Sequence, residues 1–175
     1  EVDGIGGVLA DFDDANLPSL LSLPLLGWPK LDMEVYAATR RRLLDPDINP
    51  QYFRGKDVQG IGSEHTMPGY VWPLAMVTEA LTDKSIEQRA RIAKMLLQTQ
   101  CGNGLMHESV HANRTTACTR PEFEWANAMF VVMVERSLGY DCDSAAMEFL
   151  ATQRQRKESD DTSSLPENGD KGDNP

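Results

Sequence analysis

Apolar residues recur along this chain at helical spacing, and strict apolar–polar alternation is nowhere sustained. Leu17, Leu20, Leu21 and Leu25 follow Asp13-Asp14-Ala15-Asn16, whose side-chain oxygens suit an N-cap. Pro24 and Gly27 close that first segment. A second helix is predicted over residues 33–44, stopped by Asp45-Pro46, and a third over residues 71–81. Ser85, with Gln88 three positions on, reads as the capping box of a fourth. That helix shows Ile86, Ala90, Ala93 and Leu97 on one face and breaks at Gly102-Asn103-Gly104. Pro121 opens the fifth and most apolar helix, which ends near Leu138-Gly139. A sixth, amphipathic helix is predicted over residues 144–156. Six helices in series predict an all-α fold.

Two long stretches interrupt the pattern. Residues 49–69 hold six Gly or Pro, and residues 101–120 have no helical period. All three histidines, His65, His107 and His111, fall in these two stretches. Functional residues concentrate on loops held by a scaffold, so any site is expected there.

Charge and composition narrow the possibilities. The 175 residues carry 27 acids and 17 bases, a net charge of −10. Residues 158–175 hold six of the acids and only Lys171, a net −5, so the remaining 157 residues share the other −5. That body lacks the basic face that nucleic-acid binding requires, so no nucleic-acid partner is expected. The 158–175 tail, with one Leu and no aromatic residue, is expected to be disordered. No run of 18 apolar residues is present, so no membrane segment is expected in this chain.

Several patterns suggest chemistry. His107-Glu108-Ser109-Val110-His111 matches H-E-x-x-H, which binds zinc when a helix puts both imidazoles on one face. The flanking Gly102, Gly104 and Asn113-Arg114-Thr115-Thr116 argue against such a helix. Glu108 can instead serve as a general base towards water, or simply cap a helix or pair with Arg120. Asp11, Asp13 and Asp14 fail as a calcium loop, because Asn16 and Ser22 stand where Gly and Glu are needed, and they read as helix caps. Trp28, Trp72 and Trp125 suit either core or sugar-stacking positions. The eight methionines read as packing residues. Cys101 and Cys118 bracket the Glu108 stretch, either as a disulfide across it or as free thiols. Asn113-Arg114-Thr115 is a glycosylation sequon.

Four blocks, taken together and in order, resemble glycoside hydrolase family 125. They are Val2-Asp3-Gly4 with Asp13-Asp14-Ala15-Asn16-Leu17-Pro18-Ser19-Leu20-Leu21; Ile61-Gly62-Ser63-Glu64-His65-Thr66 with Gly69-Tyr70-Val71-Trp72-Pro73; Gly104-Leu105-Met106-His107-Glu108-Ser109-Val110; and Thr119-Arg120-Pro121-Glu122-Phe123-Glu124-Trp125-Ala126-Asn127. They span residues 2 to about 138. Glu64 departs from the family's usual Pro.

The resemblance implies an inverting exo-α-1,6-mannosidase acting on mannosides of N-glycan or mannan type, with no metal and no cofactor. It implies an (α/α)6 toroid of the six-hairpin glycosidase type, of which residues 1–157 would be the C-terminal half. Glu108 is the implied general base. His65, Thr66, Trp72, His107, Arg120 and Trp125 are the implied substrate-binding residues. The family's general acid is an Asp upstream of the Val-Asp-Gly block, so this chain is expected to be a fragment that lacks the N-terminal part of its domain and is inactive alone. Substrate class, sequon and cysteines together suggest a secreted protein or one of the secretory pathway. The rival expectations are a zinc peptidase using His107 and His111, or an inert helical module.

Overall fold

The computed structural model of the chain describes residues 12–99 and 101–139. In chain order the elements are α1 (Met33–Leu43), β1 (Tyr52–Arg54), β2 (Gln59–Ile61), β3 (Tyr70–Val71), α2 (Pro73–Leu81), α3 (Ile86–Leu97), β4 (Ser109–His111), β5 (Arg114–Thr119) and α4 (Glu124–Ser137). A four-residue 3-10 turn, Leu23–Leu26, precedes them. The helix predicted over residues 144–156 and the tail at 158–175 lie outside the described residues, as do Asp11 and the Val2-Asp3-Gly4 block.

The four helices form near where periodicity predicts, but Val71 pairs in β3 and α4 opens at Glu124, after Phe123, rather than at Pro121. The Asp32 carboxylate accepts from the Glu34 and Val35 amides at 2.9 and 3.1 Å and starts α1. Ser85 Oγ accepts from the Gln88 amide at 3.2 Å and starts α3. The reciprocal half of the capping box is replaced: Gln88 Nε2 donates to Glu79 Oε1 at 3.0 Å, and Asp83 satisfies the Ser85 amide at 2.8 Å. Pro73 opens α2, where its missing N–H costs nothing.

The leucine-rich segment at 17–27 is not an α-helix. Pro18 and Pro24 remove two amide donors, and Asp13 Oδ2 draws the Leu20 amide to 2.7 Å. The result is a loop that ends at Gly27 with φ 64°. Leu21 alone of its leucines is fully buried, at 2% exposure.

The all-α toroid predicted from the sequence is wrong for this chain, because the two supposed loops hold four strands and a fifth, β3, takes Tyr70 and Val71 just beyond the first of them. The hairpin β1–β2 pairs Tyr52 with Ile61 and Arg54 with Gln59. A second, three-stranded antiparallel sheet runs β3-β4-β5, pairing Tyr70 with His111 and Ser109 with Thr119. The architecture is mixed, with helices packed on small sheets. These strands are two to six residues long. Most are too short to show even two full alternations, so their period is invisible in the sequence. Glycine marks where the backbones crowd: a Cβ on Gly55 would overlap the Ala112 carbonyl, and one on Gly62 the Tyr70 carbonyl.

Helix α2 is the centre of the fold, with every residue from Pro73 to Ala80 buried. Helices α3 and α4 pack on it through Ile92, Leu96, Ala126 and Met133, while Val58, Val71, Met106, Val110 and Ala112 add apolar side chains from the strands and their connections. A second cluster gathers Ala15, Leu21, Leu43, Tyr52, Ile61, Trp72 and Ala75. Trp72 and Ala75 thus tie the site-bearing loops to the central helix.

Candidate active site

Glu108 sits in a bend immediately before β4. His107 enters the interior and is fully buried, while the Glu108 side chain stays 12% exposed. The Glu108 amide lies 3.2 Å from the carbonyls of both Thr119 and Arg120, which fastens it to the end of β5. Its carboxylate is gripped on both oxygens. Thr119 Oγ1 donates to Oε2 at 2.9 Å, and Arg120 Nη1 stands 3.1 Å from Oε1. Thr119 Oγ1 is itself 2.6 Å from Ser109 Oγ.

Arg120 reaches back because its backbone is left-handed, with φ 39°. Its guanidinium lies 5.9 Å from the centroid of the Phe123 ring. Asn127 anchors the other side of the strand to α4. Its Oδ1 accepts from the Met106 amide at 2.8 Å, and its Nδ2 donates to the Met106 carbonyl at 3.2 Å.

Aromatic rings form the walls around Glu108. Trp72 meets Phe123 edge-on at 6.1 Å, and Phe123 lies 6.4 Å from Trp125. The His65 ring stands 6.4 Å from Trp72. Thr66 Oγ1 accepts from Trp72 Nε1 at 2.9 Å. On the remaining side Asn16 Nδ2 donates to Asp14 Oδ2 and Ser63 Oγ at 3.2 and 3.3 Å. Together Asn16, His65, Trp72, Glu108, Arg120, Phe123 and Trp125 line a cleft of about 480 Å³. An adjoining depression of about 740 Å³ shares Arg120, Phe123 and Trp125 and adds Glu122, Glu124 and Asn127.

The cleft brings together Glu108, His65, Trp72, Arg120 and Trp125 from the predicted set. Thr66 supports it through Trp72. His107 is not among its lining residues. Trp28 is also absent from it and is 53% exposed. Asn16 and Phe123 were not singled out from the sequence, although both lie inside the blocks that carried the resemblance.

Asp13 and Asp14 are loop-building groups. Asp13 Oδ2 holds the Leu20 and Leu21 amides, and burial pushes its carboxyl up from 3.8. Asp14 accepts from the Asn16 amide at 2.7 Å and from Ser63 Oγ at 2.9 Å.

The zinc-peptidase reading of His107 and His111 fails on geometry. The H-E-x-x-H segment runs into β4 rather than forming a helix. His107 is fully buried ahead of the strand, whereas His111 is a strand residue paired with Tyr70, so the helical i, i+4 face that such a zinc site needs does not form. His111 instead meets Tyr70 edge-on at 5.3 Å and accepts from the Asn113 amide at 3.2 Å. Neither His107 ring nitrogen has a hydrogen-bond partner within the described residues. Burial lowers its pKa to about 4, and the nearby Leu105 backbone only partly opposes the shift.

The chain is similar to several known proteins. The model of the metal-independent alpha-mannosidase family (GH125) matches residues 1–135. The "Meiotically up-regulated gene 157 protein" of Schizosaccharomyces pombe is 42% identical over 134 residues, 77% of this chain and 26% of that protein. A solved structure from Streptococcus pneumoniae, of a metal-independent alpha mannosidase in a non-productive complex with alpha-1,6-mannobiose, aligns with a TM-score of 0.75 at 40% identity. That match covers 81% of this chain and 33% of that one. The chain therefore spans about a quarter to a third of the length of these relatives.

Proposed function

From the premise that this chain belongs to glycoside hydrolase family 125, the metal-independent α-mannosidases, we propose that it carries the general-base half of an inverting exo-α-1,6-mannosidase site. The observation that carries the proposal is the setting of Glu108: a carboxylate gripped on both oxygens inside an aromatic-walled cleft. A carboxylate has about four lone-pair positions, and Thr119 and Arg120 occupy two. The others are available to a water. In inversion that water is deprotonated as it attacks the anomeric carbon from the face opposite the leaving group.

The walls suit a sugar. Trp125 offers an apolar face at 43% exposure, while Trp72 is buried to 2% and sets the floor. Asn16, His65 and Arg120 supply polar groups for hydroxyls. Arg120 is 67% exposed along its side chain, so it can exchange a Glu108 contact for a substrate contact at small cost.

Inversion needs a second carboxyl roughly 6.5–9.5 Å from the base to protonate the leaving oxygen. Glu108 is the single carboxylate among the described residues lining this cleft. In a family-length version of the protein, proton NMR during hydrolysis of α-1,6-mannobiose should show β-mannose as the first product. Glu108→Gln should lower turnover by about 10²–10⁴-fold without unfolding the protein. First release of α-mannose would exclude inversion, and near-native turnover by the Gln variant would exclude Glu108 as the base.

A further inference from the structure

His107 is not among the residues lining the cleft, and it is the one buried imidazole with both nitrogens unsatisfied among the described residues. Such a group costs stability unless something occupies it. What it faces is a pair of sulfurs. Cys101 lies in the turn before the Glu108 strand and Cys118 lies on β5, opposite Val110. The two are joined as a disulfide with Cα atoms 6.5 Å apart. One ligand atom from each of Cys101, His107 and Cys118 lies within 4.8 Å of the others.

We propose that this cluster is a second site of the protein: with the disulfide reduced, Cys101, His107 and Cys118 bind one thiophilic divalent cation of the zinc type. Two thiolates and one imidazole are a donor set that selects such ions. Tetrahedral zinc holds such ligands roughly 3.3–3.8 Å apart, inside the span of the cluster. The adjustment falls on a segment able to make it. Cys101, Gly102 and Gly104 all have positive φ, at 48°, 86° and 76°, so the Cys101 arm is a turn rather than a strand. The Thr115 carbonyl lies 3.4 and 3.7 Å from the two sulfurs.

The chemistry balances with an external thiol as reductant. Two thiol molecules reduce the disulfide to two cysteines and become a disulfide themselves, and the cation then displaces two protons from the cysteine thiols. The ion has no place in the proposed mannosidase reaction, because His107 is fully buried and is not among the residues lining the Glu108 cleft. The inference is independent of the proposed activity.

The test uses the full 175-residue chain reduced with a phosphine, which leaves zinc free, and titrated with Co²⁺ and then Zn²⁺. One equivalent of Co²⁺ should give thiolate-to-cobalt charge-transfer absorption, and Zn²⁺ should displace it. The oxidised chain should take up none. Cys118→Ser should abolish the absorption, and His107→Ala should weaken binding by more than about tenfold. Cys142→Ser, outside the described residues, should bind as the parent does. Each variant is compared with the reduced parent, which also lacks the disulfide, with circular dichroism reporting its fold. A reduced parent that takes up no cation, folded or not, overturns the proposal. So does binding that survives loss of Cys118 and His107 together.

Discussion

Thr119 decides where the Glu108 carboxylate points. Its hydroxyl donates to Oε2 while sitting 2.6 Å from Ser109 Oγ, so the proposed base is held by a short pair of hydroxyls on the β4–β5 pair. A hydrogen bond to a charged group contributes about 1.5–3 kcal/mol. In a family-length protein, steady-state kinetics of Thr119→Val should show kcat lowered by roughly 10- to 100-fold with KM little changed. Thr119→Ser should restore most of it. Glu79 poses a different problem. It is 5% exposed on the central helix, and burial raises its pKa above 4.5, against the opposing pull of Gln88, Arg40 and Arg91. The folded chain then holds that proton more tightly than the unfolded one. The stabilisation is fully present below about pH 4.5 and is lost as pH rises through the raised value. Urea unfolding at pH 4.5 and 7.5 should show the wild type losing stability relative to Glu79→Gln across that interval. A constant difference would mean that Glu79 does not titrate in this way.

At the level of elements, helices and strands gave different signals before folding. Helices α1 and α3 carry side-chain caps, α2 opens on a proline and α4 is a long apolar run; these signals act locally, so the helix positions are readable from the sequence. Ser85 shows how local the signal is. Its hydroxyl holds the Gln88 amide, and Ser85→Ala should cost about 1 kcal/mol by chemical denaturation. An unchanged midpoint would mean that Asp83 and Glu79 already hold the turn. The strands depend on partners far along the chain: β3 pairs with β4 across some 40 residues, Tyr70 with His111. Nothing in a two-residue strand encodes that pairing. The slip between Val110 and His111 further blurs any alternation in β4.

For the whole molecule, the disulfide and the central helix hold the site together. Cys101–Cys118 closes a loop of 17 residues around the Glu108 strand. Constraining a loop of that size stabilises by roughly 3 kcal/mol. Cys118→Ser in oxidising buffer should lose about that much in urea unfolding, and a loss under about 1 kcal/mol would show that the strand stands without its staple. The sequence alone determined the four described helices and the family, because caps, helical periods and contiguous motifs are local properties of a chain. Only the tertiary structure decided that the two glycine-rich stretches are sheets. It also separated His107 from Glu108, joined Asn16 and Phe123 to the cleft, and set an unsatisfied imidazole beside two sulfurs. Those outcomes rest on strand pairing and on which face of an extended backbone is buried, and both are fixed by residues distant in sequence.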